Sequence, residues 1–441
     1  MKEIPIGLVG YGTVGQGVAA VLALNAESIA RKMGAKVYLK HVVEKFMDRP
    51  FDVPLPAGVM TNTLDPLLKD PSVEIAIELV GGTTVARKIV EQLLQAGKHV
   101  VTANKALLAH HGRELFSLAR QCRRCIAFEA SCGGGIPLIE SIRRGLLAND
   151  IKALYGIVNG TCNYILTAMS REGKDYATAL KEAQTAGFAE ADPTLDVNGT
   201  DTAHKLTILS SIAFARNVPF ESISVEGIDT VNIDDIRYGQ ELGYVMKLLA
   251  IGIREPDGIS VRVHPAFVSN KDPLALVSGP FNAVSLYGNA VGHTMFYGRG
   301  AGRMPTASAV LADVMDIALG NTAKTFQDLV LLPDITDPAP IKPISEIISR
   351  YYLRLMVVDR PGVLAKLTEI FGRYAISISA VLQHEGAKYD KNGEPIVPVV
   401  VLTHRAKEGN VQSAIGEIAR LDTTAEKPVC IRVVDEHPEW Q

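Results

Sequence analysis

Ile4 to Gly17, IPIGLVGYGTVGQG, decides the fold. The run Ile4 to Gly10 has the length and composition of a short buried strand, and Gly10-Tyr11-Gly12-Thr13-Val14-Gly15 follows before a helix that starts near Gln16. In that order GxGxxG is a dinucleotide fingerprint. Gly10 makes the turn, Gly12 lets a pyrophosphate approach the backbone, and Gly15 permits close packing of helix on sheet. Amides near Thr13 and Val14 would then face phosphates at the helix N-terminus.

The residues that follow extend the same pattern. A second strand is predicted at Lys36–Val43, ending at Glu44-Lys45. An acid at this end would hold the ribose hydroxyls of NAD, whereas Lys45 or Arg49 would hold the extra phosphate of NADP; with both present, either cofactor stays open. Ile75–Val80, closed by Gly81-Gly82, is the next strand, followed by a helix from Val85 to Ala96 and a strand at His99–Thr102. Strands alternating with helices at this spacing specify a parallel, doubly wound α/β sheet. Ligands of such sheets lie at the carboxyl ends of strands, where Ala103-Asn104-Lys105 falls, so Lys105 reads as a residue over the cofactor, with a plain surface lysine as the other reading. Ile126–Ala130 is a further strand. The run Ser131-Cys132-Gly133-Gly134-Gly135-Ile136-Pro137 then offers exposed carbonyls that, with Glu129, suit a cation; a tight structural turn is the other reading.

Composition sets the outer bounds. With 441 residues the chain is long enough for two or three domains; 47% hydrophobic and 21% charged residues describe a globular protein, and a net charge of -3 points away from nucleic acid and from anionic membrane surfaces. No apolar run approaches the ~20 residues needed to cross a bilayer, so a cytoplasmic location is expected. Five cysteines in so long a chain make no disulfide framework, and the single CxxC of Cys122 and Cys125 lacks the second pair of a four-ligand zinc site.

Chemistry concentrates at Gly187–Lys205, GFAEADPTLDVNGTDTAHK. A helix over Asp175–Ala186 stops at Gly187, and a second is predicted over Asp201–Ala215 with Thr200 as N-cap. Asp201 and Lys205 stand at i,i+4 on a face continued by Ile208, Leu209 and Ile212, which marks it as buried. The residues leave two readings: an ordinary ion pair, or a lysine poised to exchange a proton beside carboxylates at Glu190, Asp192 and Asp196 that suit a cationic substrate. Upstream, a strand at Tyr155–Val158 runs into the polar turn Asn159-Gly160-Thr161-Cys162-Asn163, which either serves a small polar ligand or caps the next helix. Gly298–Ser308 (GRGAGRMPTAS) leads into a helix from about Ala307 and resembles another phosphate-facing loop, although Gly with Arg also suits a surface turn. Leu331–Pro343 holds four prolines and no periodicity, and so reads as a linker. A compact βαββαβ pattern occupies the tail as a detached domain of ~90 residues, a size suited to regulation or dimerisation.

GLVGYGTVGQGV, VVTANKALLA, FEASCGGGIPLI, GIVNGTCNYIL, GFAEADPTLDVNGTDTAHKLTIL, GRGAGRMPTASAV and VVDRPGVLAKLTEIF stand in an order that resembles bacterial homoserine dehydrogenases with a C-terminal ACT domain, over essentially the full chain. The resemblance implies an N-terminal Rossmann-type NAD(P)-binding domain at 1–135, completed by 300–325. After it come a middle α+β catalytic and dimerisation domain at 136–330, a linker at 331–347 and an ACT domain at 348–441. It implies NAD(P)-dependent interconversion of L-homoserine and L-aspartate 4-semialdehyde, with Lys205 as proton donor in reduction and Lys105 as the second lysine at the reacting centre. Glu190, Asp196 and Asp201 match acidic substrate-site positions, Gly160 and Thr161 a loop at the substrate, and Gly302 a cofactor-side glycine beside Gly10, Gly12, Thr13, Val14 and Gly15. Glu129, Cys132, Gly134 and Ile136 match positions that bind a monovalent cation, sodium, mostly through backbone carbonyls. A homodimer or homotetramer, and threonine as effector near Gly362, are further implications. The chain departs from the pattern at Val43-Glu44-Lys45-Phe46 and at Asn198, where many bacterial relatives carry Glu. The alternatives are another ACT-bearing NAD(P)-dependent amino-acid dehydrogenase, or a non-catalytic sensor, against which the intact Lys105 and Lys205 argue.

Overall fold

A computed structural model of the protein describes residues 1–384, 388–389, 393–435 and 437. The chain divides into two compact units that interleave in sequence: Met1–Gly160 with Thr200–Ile223 and Pro280–Ala339, and Thr161–Gly199 with Ser224–Gly279 and Pro340–Gln441. The expected segments 1–135, 136–330, 331–347 and 348–441 run consecutively instead, and 385–387, 390–392, 436 and 438–441 of the last lie outside the described residues.

In the first unit, strands β1 (Lys2–Val9), β2 (Ala35–Val43), β3 (Met60–Thr61), β4 (Ile75–Glu78), β5 (His99–Thr102) and β6 (Ile126–Ala127) pair in parallel. Their order, β3-β2-β1-β4-β5-β6, is that of a doubly wound dinucleotide-binding sheet. Central residues Ile6, Leu8, Ile77, Val100 and Val101 are fully buried, as expected where helices cover both faces. Helix α1 (Thr13–Leu24) follows β1, and α2 (Lys105–Gln121) follows β5. Further along lie β7 (Ile151–Ile157), α3 (Thr200–Phe214), β8 (Phe281–Gly288), β9 (Gly292–Arg299) and α4 (Arg303–Ala318). β8 pairs antiparallel with both β7 and β9, and α4 returns to pack on α1, β4 and β5.

Several boundaries differ from expectation: α1 begins at Thr13 rather than near Gln16, β7 runs Ile151–Ile157 rather than Tyr155–Val158, and two further shifts have a visible cause. β6 stops at Ala127 rather than Ala130, because Glu129–Ser131 turns into a 3-10 helix whose first amide donates to Asp313 Oδ2 at 2.9 Å. α4 begins at Arg303 rather than Ala307. Gly302 supplies an N-cap at φ 126, and Pro305 sits in the first turn, where its missing N–H leaves no bond unmade.

The second unit contains the antiparallel hairpin Tyr244–Glu255 and Gly258–Ser269 and the tail's βαββαβ pattern. Strand Ile348–Val358 lies between Pro395–Thr403 and Val429–Val434, with Ile378–Gln383 outside Pro395–Thr403, all antiparallel. Helices Val363–Arg373 and Glu408–Ile418 bury Leu367, Phe371, Val411 and Ile418 against Leu353, Leu355 and Val399. The tail is not detached. Val429–Val434 pairs in parallel with Gly258–Ser269, at Ala266↔Arg432 and Val268↔Val434, which makes the two sheets continuous. The proline-rich linker is also fixed: Asn217 exchanges backbone bonds with Asp337 and Ala339 in the first unit, and Ile259 with Pro340 and Lys342 in the second.

Buried charge reinforces that continuity within the second unit. Arg354 of the strand Ile348–Val358 grips Asp235 through two bonds of 2.6 and 2.9 Å, and the Tyr352 hydroxyl donates to the same carboxylate at 2.9 Å. Asp235 is 1% exposed, so its removal strands a guanidinium and a phenol without an acceptor. We expect Asp235→Ala to lose about 3–5 kcal/mol of unfolding free energy in urea, and Asp235→Leu combined with Arg354→Met to recover most of it. Equal stability of Asp235→Ala and the parent would refute the assignment.

Candidate active site

Three segments of the first unit converge on one carboxylate. Asp201, in the first turn of α3, lies 2.6 Å from Lys205 Nζ through Oδ2 and 2.9 Å from Lys105 Nζ through Oδ1. The Asn159 side-chain amide donates to Oδ2 at 2.8 Å. Lys205 Nζ also donates to the Val158 carbonyl at 2.6 Å, just beyond the end of β7. Asp201 and Lys205 are 6% and 8% exposed, so their i,i+4 ion pair is buried, as the apolar face of the helix implied. Burial pushes the Asp201 carboxyl up, but the ammonium groups of Lys205 and Lys105 outweigh it and hold the group well below the usual carboxylate range. Asp201 is therefore a full negative charge between two cations.

Each partner is placed by local structure. Asn104 caps α2 by accepting from the Leu107 amide at 3.0 Å and donates to the Gly82 carbonyl at 2.7 Å, which sets Lys105 as the first residue of the helix. A cation there opposes the helix dipole, and Asp201 offsets that cost. The buried Cys132 thiol donates to the Lys205 carbonyl at 3.8 Å, joining the glycine run after β6 to α3. Asn159 and the Val158 carbonyl are partners of Asp201 and Lys205 that sequence reasoning missed. The signal was present in the polar turn after β7, although nothing local says that its amide reaches Asp201.

The fingerprint glycines divide their work. Gly10 takes φ +95, and a Cβ there would lie 2.7 Å from the Leu79 carbonyl; at Gly15 it would overlap the Gly10 carbonyl. At Gly12 it would meet nothing within 4 Å, which leaves the backbone open to a ligand beside the start of α1, where Thr13 and Val14 stand. Glu44, at the end of β2, accepts from the Tyr11 amide at 2.8 Å, the Phe46 amide at 3.0 Å and Arg49 at 2.9 Å. Burial raises this carboxyl, yet the two amides and Arg49 bring it below its ordinary value.

At the glycine run, both oxygens of Glu129 accept amides, from Ile139 at 3.0 Å and Glu140 at 2.7 Å. Burial pushes its carboxyl up to about 7 in spite of these bonds. Cys132 and Ile136 are buried, and a Cβ on Gly134 would lie 2.5 Å from the Gly300 carbonyl, two residues before Gly302. Among the described residues no cluster of three or more His, Cys, Asp or Glu has metal-binding geometry, so any cation here would rely on backbone oxygens.

In the second unit the acidic stretch is only partly a cluster. Thr161 Oγ1 lies 2.6 Å from the Phe188 carbonyl and 3.2 Å from Asp196 Oδ2, linking the start of helix Gly160–Glu172 to the acidic segment. Glu190 is exposed, with its carbonyl bound by Gln184. Asp192 instead makes a local turn, accepting from the amide and hydroxyl of Thr194 at 3.1 and 2.6 Å.

Known proteins resemble the chain along nearly all of its length. Residues 10–129 match the model "Homoserine dehydrogenase, NAD binding domain", 137–315 the model "Homoserine dehydrogenase", and 351–421 the ACT domain. The chain is 41% identical to a homoserine dehydrogenase of Neisseria gonorrhoeae, covering 97% of this chain and 98% of the relative. A crystal structure of a homoserine dehydrogenase from Thiobacillus denitrificans superposes with a TM-score of 0.91 at 43% identity, over 99% of both chains. A hyperthermophilic archaeal homoserine dehydrogenase in complex with NADPH matches with a TM-score of 0.60 at 26% identity, over 72% of this chain and 98% of that one. With a nicotinamide-binding sheet, a buried lysine pair and near full-length similarity in hand, the chain belongs to the homoserine dehydrogenases, NAD(P)-dependent oxidoreductases that act on the CH–OH group of homoserine in threonine, methionine and isoleucine biosynthesis.

Proposed function

We propose that Lys205 is the proton donor when L-aspartate 4-semialdehyde is reduced to L-homoserine, and the acceptor in the reverse direction. The carrying observation is its buried ammonium, 2.6 Å from both the Asp201 carboxylate and the Val158 carbonyl. An ammonium has three donors. Those two acceptors aim it and leave the third N–H for the oxygen of the substrate. A bound nicotinamide supplies the hydride for the reacting carbon. Lys205 gives its proton to the oxygen that becomes the alcohol, and Lys105, with 41% of its side chain exposed, adds positive charge beside that oxygen. Asp201 acts as the positioning carboxylate of both lysines. The ammonium of the substrate falls to Glu190 and Asp196, with Gly160 and Thr161 at the turn that helps bind it.

Gly10, Gly12 and Gly15 would hold the cofactor, the amides at Thr13 and Val14 would take its phosphates, and Gly302 and Lys105 would face it from their side of the site. Because Glu44 is engaged by amides and Arg49, we assign the charge at Arg49, assisted by Lys45, to the 2′-phosphate of NADP. Backbone carbonyls at Cys132, Gly134 and Ile136, with Glu129, are the proposed sodium ligands. Residues 1–135 with 300–325 serve the cofactor, 136–330 catalysis and dimerisation, and 348–441, through the turn at Gly362, threonine-linked regulation in a cytoplasmic homo-oligomer. No described helix is long and apolar enough to cross a membrane.

Lys205→Met should lower kcat by about 10²–10⁴, the usual contribution of a positioned acid, while the NADPH dissociation constant measured by fluorescence stays within about threefold. Parent-like turnover would rule out the role. Arg49→Ala should raise KM for NADPH about tenfold and leave KM for NADH unchanged, whereas an equal effect on both would reject the phosphate contact. Asp201 is held below its unfolded value, so its contribution to stability is present above about pH 4 and fades as pH falls through the folded value. The stability gap between the parent and Asp201→Asn, about 3–5 kcal/mol at pH 7, should therefore narrow on going from pH 5 towards pH 3. A gap constant over that range would contradict it.

A further inference from the structure

A cavity of about 260 Å³ opens within the first unit, behind the lysine pair and between the helices that carry it. α2 supplies Leu108, Gly112 and Phe116 to one wall and α3 supplies Thr207, Ile208 and Ser211 to the other. Toward the lysines, the two helices are bridged first by His110 Nε2 and His204 Nε2 at 3.2 Å and then by the Lys105–Asp201 pair. Phe220 closes the same end, its ring 4.8 Å from that of His204 and 4.7 Å from that of His110.

Stability alone does not account for the space. Gly112 is a buried glycine in the interior of α2, where glycine costs about 1 kcal/mol relative to alanine. A Cβ at this position would meet Phe116 at 3.4 Å and Leu108 at 4.0 Å, which is ordinary contact. Both helix propensity and void filling favour a side chain there, yet the chain leaves the wall bare. The walls combine the apolar Leu108, Phe116 and Ile208 with the polar Thr207 and Ser211, and the exposed mouth carries charges of both signs, Arg113 and Glu114 on α2 and Glu221 beside Phe220. An apolar cavity of roughly 150 Å³ accepts a benzene ring, so this one is large enough for a bulky side chain and the two charged groups of an amino acid.

We infer that this cavity binds a zwitterionic amino acid with a large apolar side chain, its carboxylate on Arg113 and its ammonium on Glu221. Binding acts on the reaction through the spacing of α2 and α3. A ligand that wedges or pins these helices moves Lys105 relative to Asp201 and Lys205, two sites coupled through one pair of rigid elements. This regulatory step rests on the role given to the lysines above, but binding itself does not.

Calorimetric titration of the full chain with L-isoleucine, L-methionine, L-phenylalanine and, as a small polar control, L-threonine tests the site. At least one of the apolar three should bind with a dissociation constant at or below about 1 mM. Arg113→Gln, an exposed change that leaves the fold intact, should weaken that binding by about tenfold, and Gly112→Leu should abolish it while leaving threonine binding as in the parent. With the ligand bound, KM for homoserine or kcat should change about fivefold or more. No binding by any apolar amino acid, or binding unaltered in both variants, overturns the site. Binding without any kinetic change overturns the regulatory step and leaves the lysine assignment to be judged by Lys205→Met.

Discussion

The Asp201 carboxylate between two ammonium groups is the constraint on which the rest of the site depends. Three charges in so little water carry a large desolvation cost, and pairs of this kind persist only where every donor and acceptor is matched. Here the matching groups come from separate places: the Val158 carbonyl and Asn159 amide beyond β7, Lys205 one turn along α3, and Lys105 at the start of α2. The triad sums to one positive charge. That surplus suits a reaction in which a carbonyl oxygen gains electron density before it is protonated.

The sheet places this charge by the ordinary rules of parallel topology. β5 ends at Thr102, and Asn104 caps the helix that starts with Lys105, so the lysine emerges at the carboxyl end of a strand, as Gly10 and Gly12 do after β1. Local bonds on this edge tie the strand ends together. Thr102 donates to the buried Glu78 at 2.8 Å, whose carboxylate also accepts from the Val80 amide at 2.7 Å. The strand ends at this edge are thus tied together by the protein's own hydrogen bonds.

What was legible in the sequence was local. The glycine fingerprint, the β–α alternation and the tail's βαββαβ pattern depend on periodicity and turn chemistry within a dozen residues, and these emerge with boundaries displaced by only a few positions. The i,i+4 relation of Asp201 and Lys205 was equally readable, because a helix fixes it. Contacts between distant segments were not. Nothing near Arg432 announces a parallel register with Ala266, and nothing near Glu129 announces that Asp313 will capture its amide and end β6 early. Asp192 misled because a carboxylate two residues before a threonine looks the same in sequence whether it faces a substrate or its own backbone.

The clearest gain from structure concerns Asp201 itself. In sequence it stood as the i,i+4 partner of Lys205, while the family resemblance also placed it among the substrate-site acids with Glu190 and Asp196. Both its oxygens turn out to be engaged by cations of the protein, with an amide on one of them as well. A carboxylate so neutralised has little attraction left for a third cation. An amino-acid substrate then needs carboxylates whose charge is not already answered by lysine. Within the second unit the Thr161 hydroxyl lies 3.2 Å from Asp196, and Glu190 is exposed. The acidic stretch thus divides at Gly199: Glu190, Asp192 and Asp196 stand before it, and Asp201, the internal counter-ion of Lys205 and Lys105, stands after it.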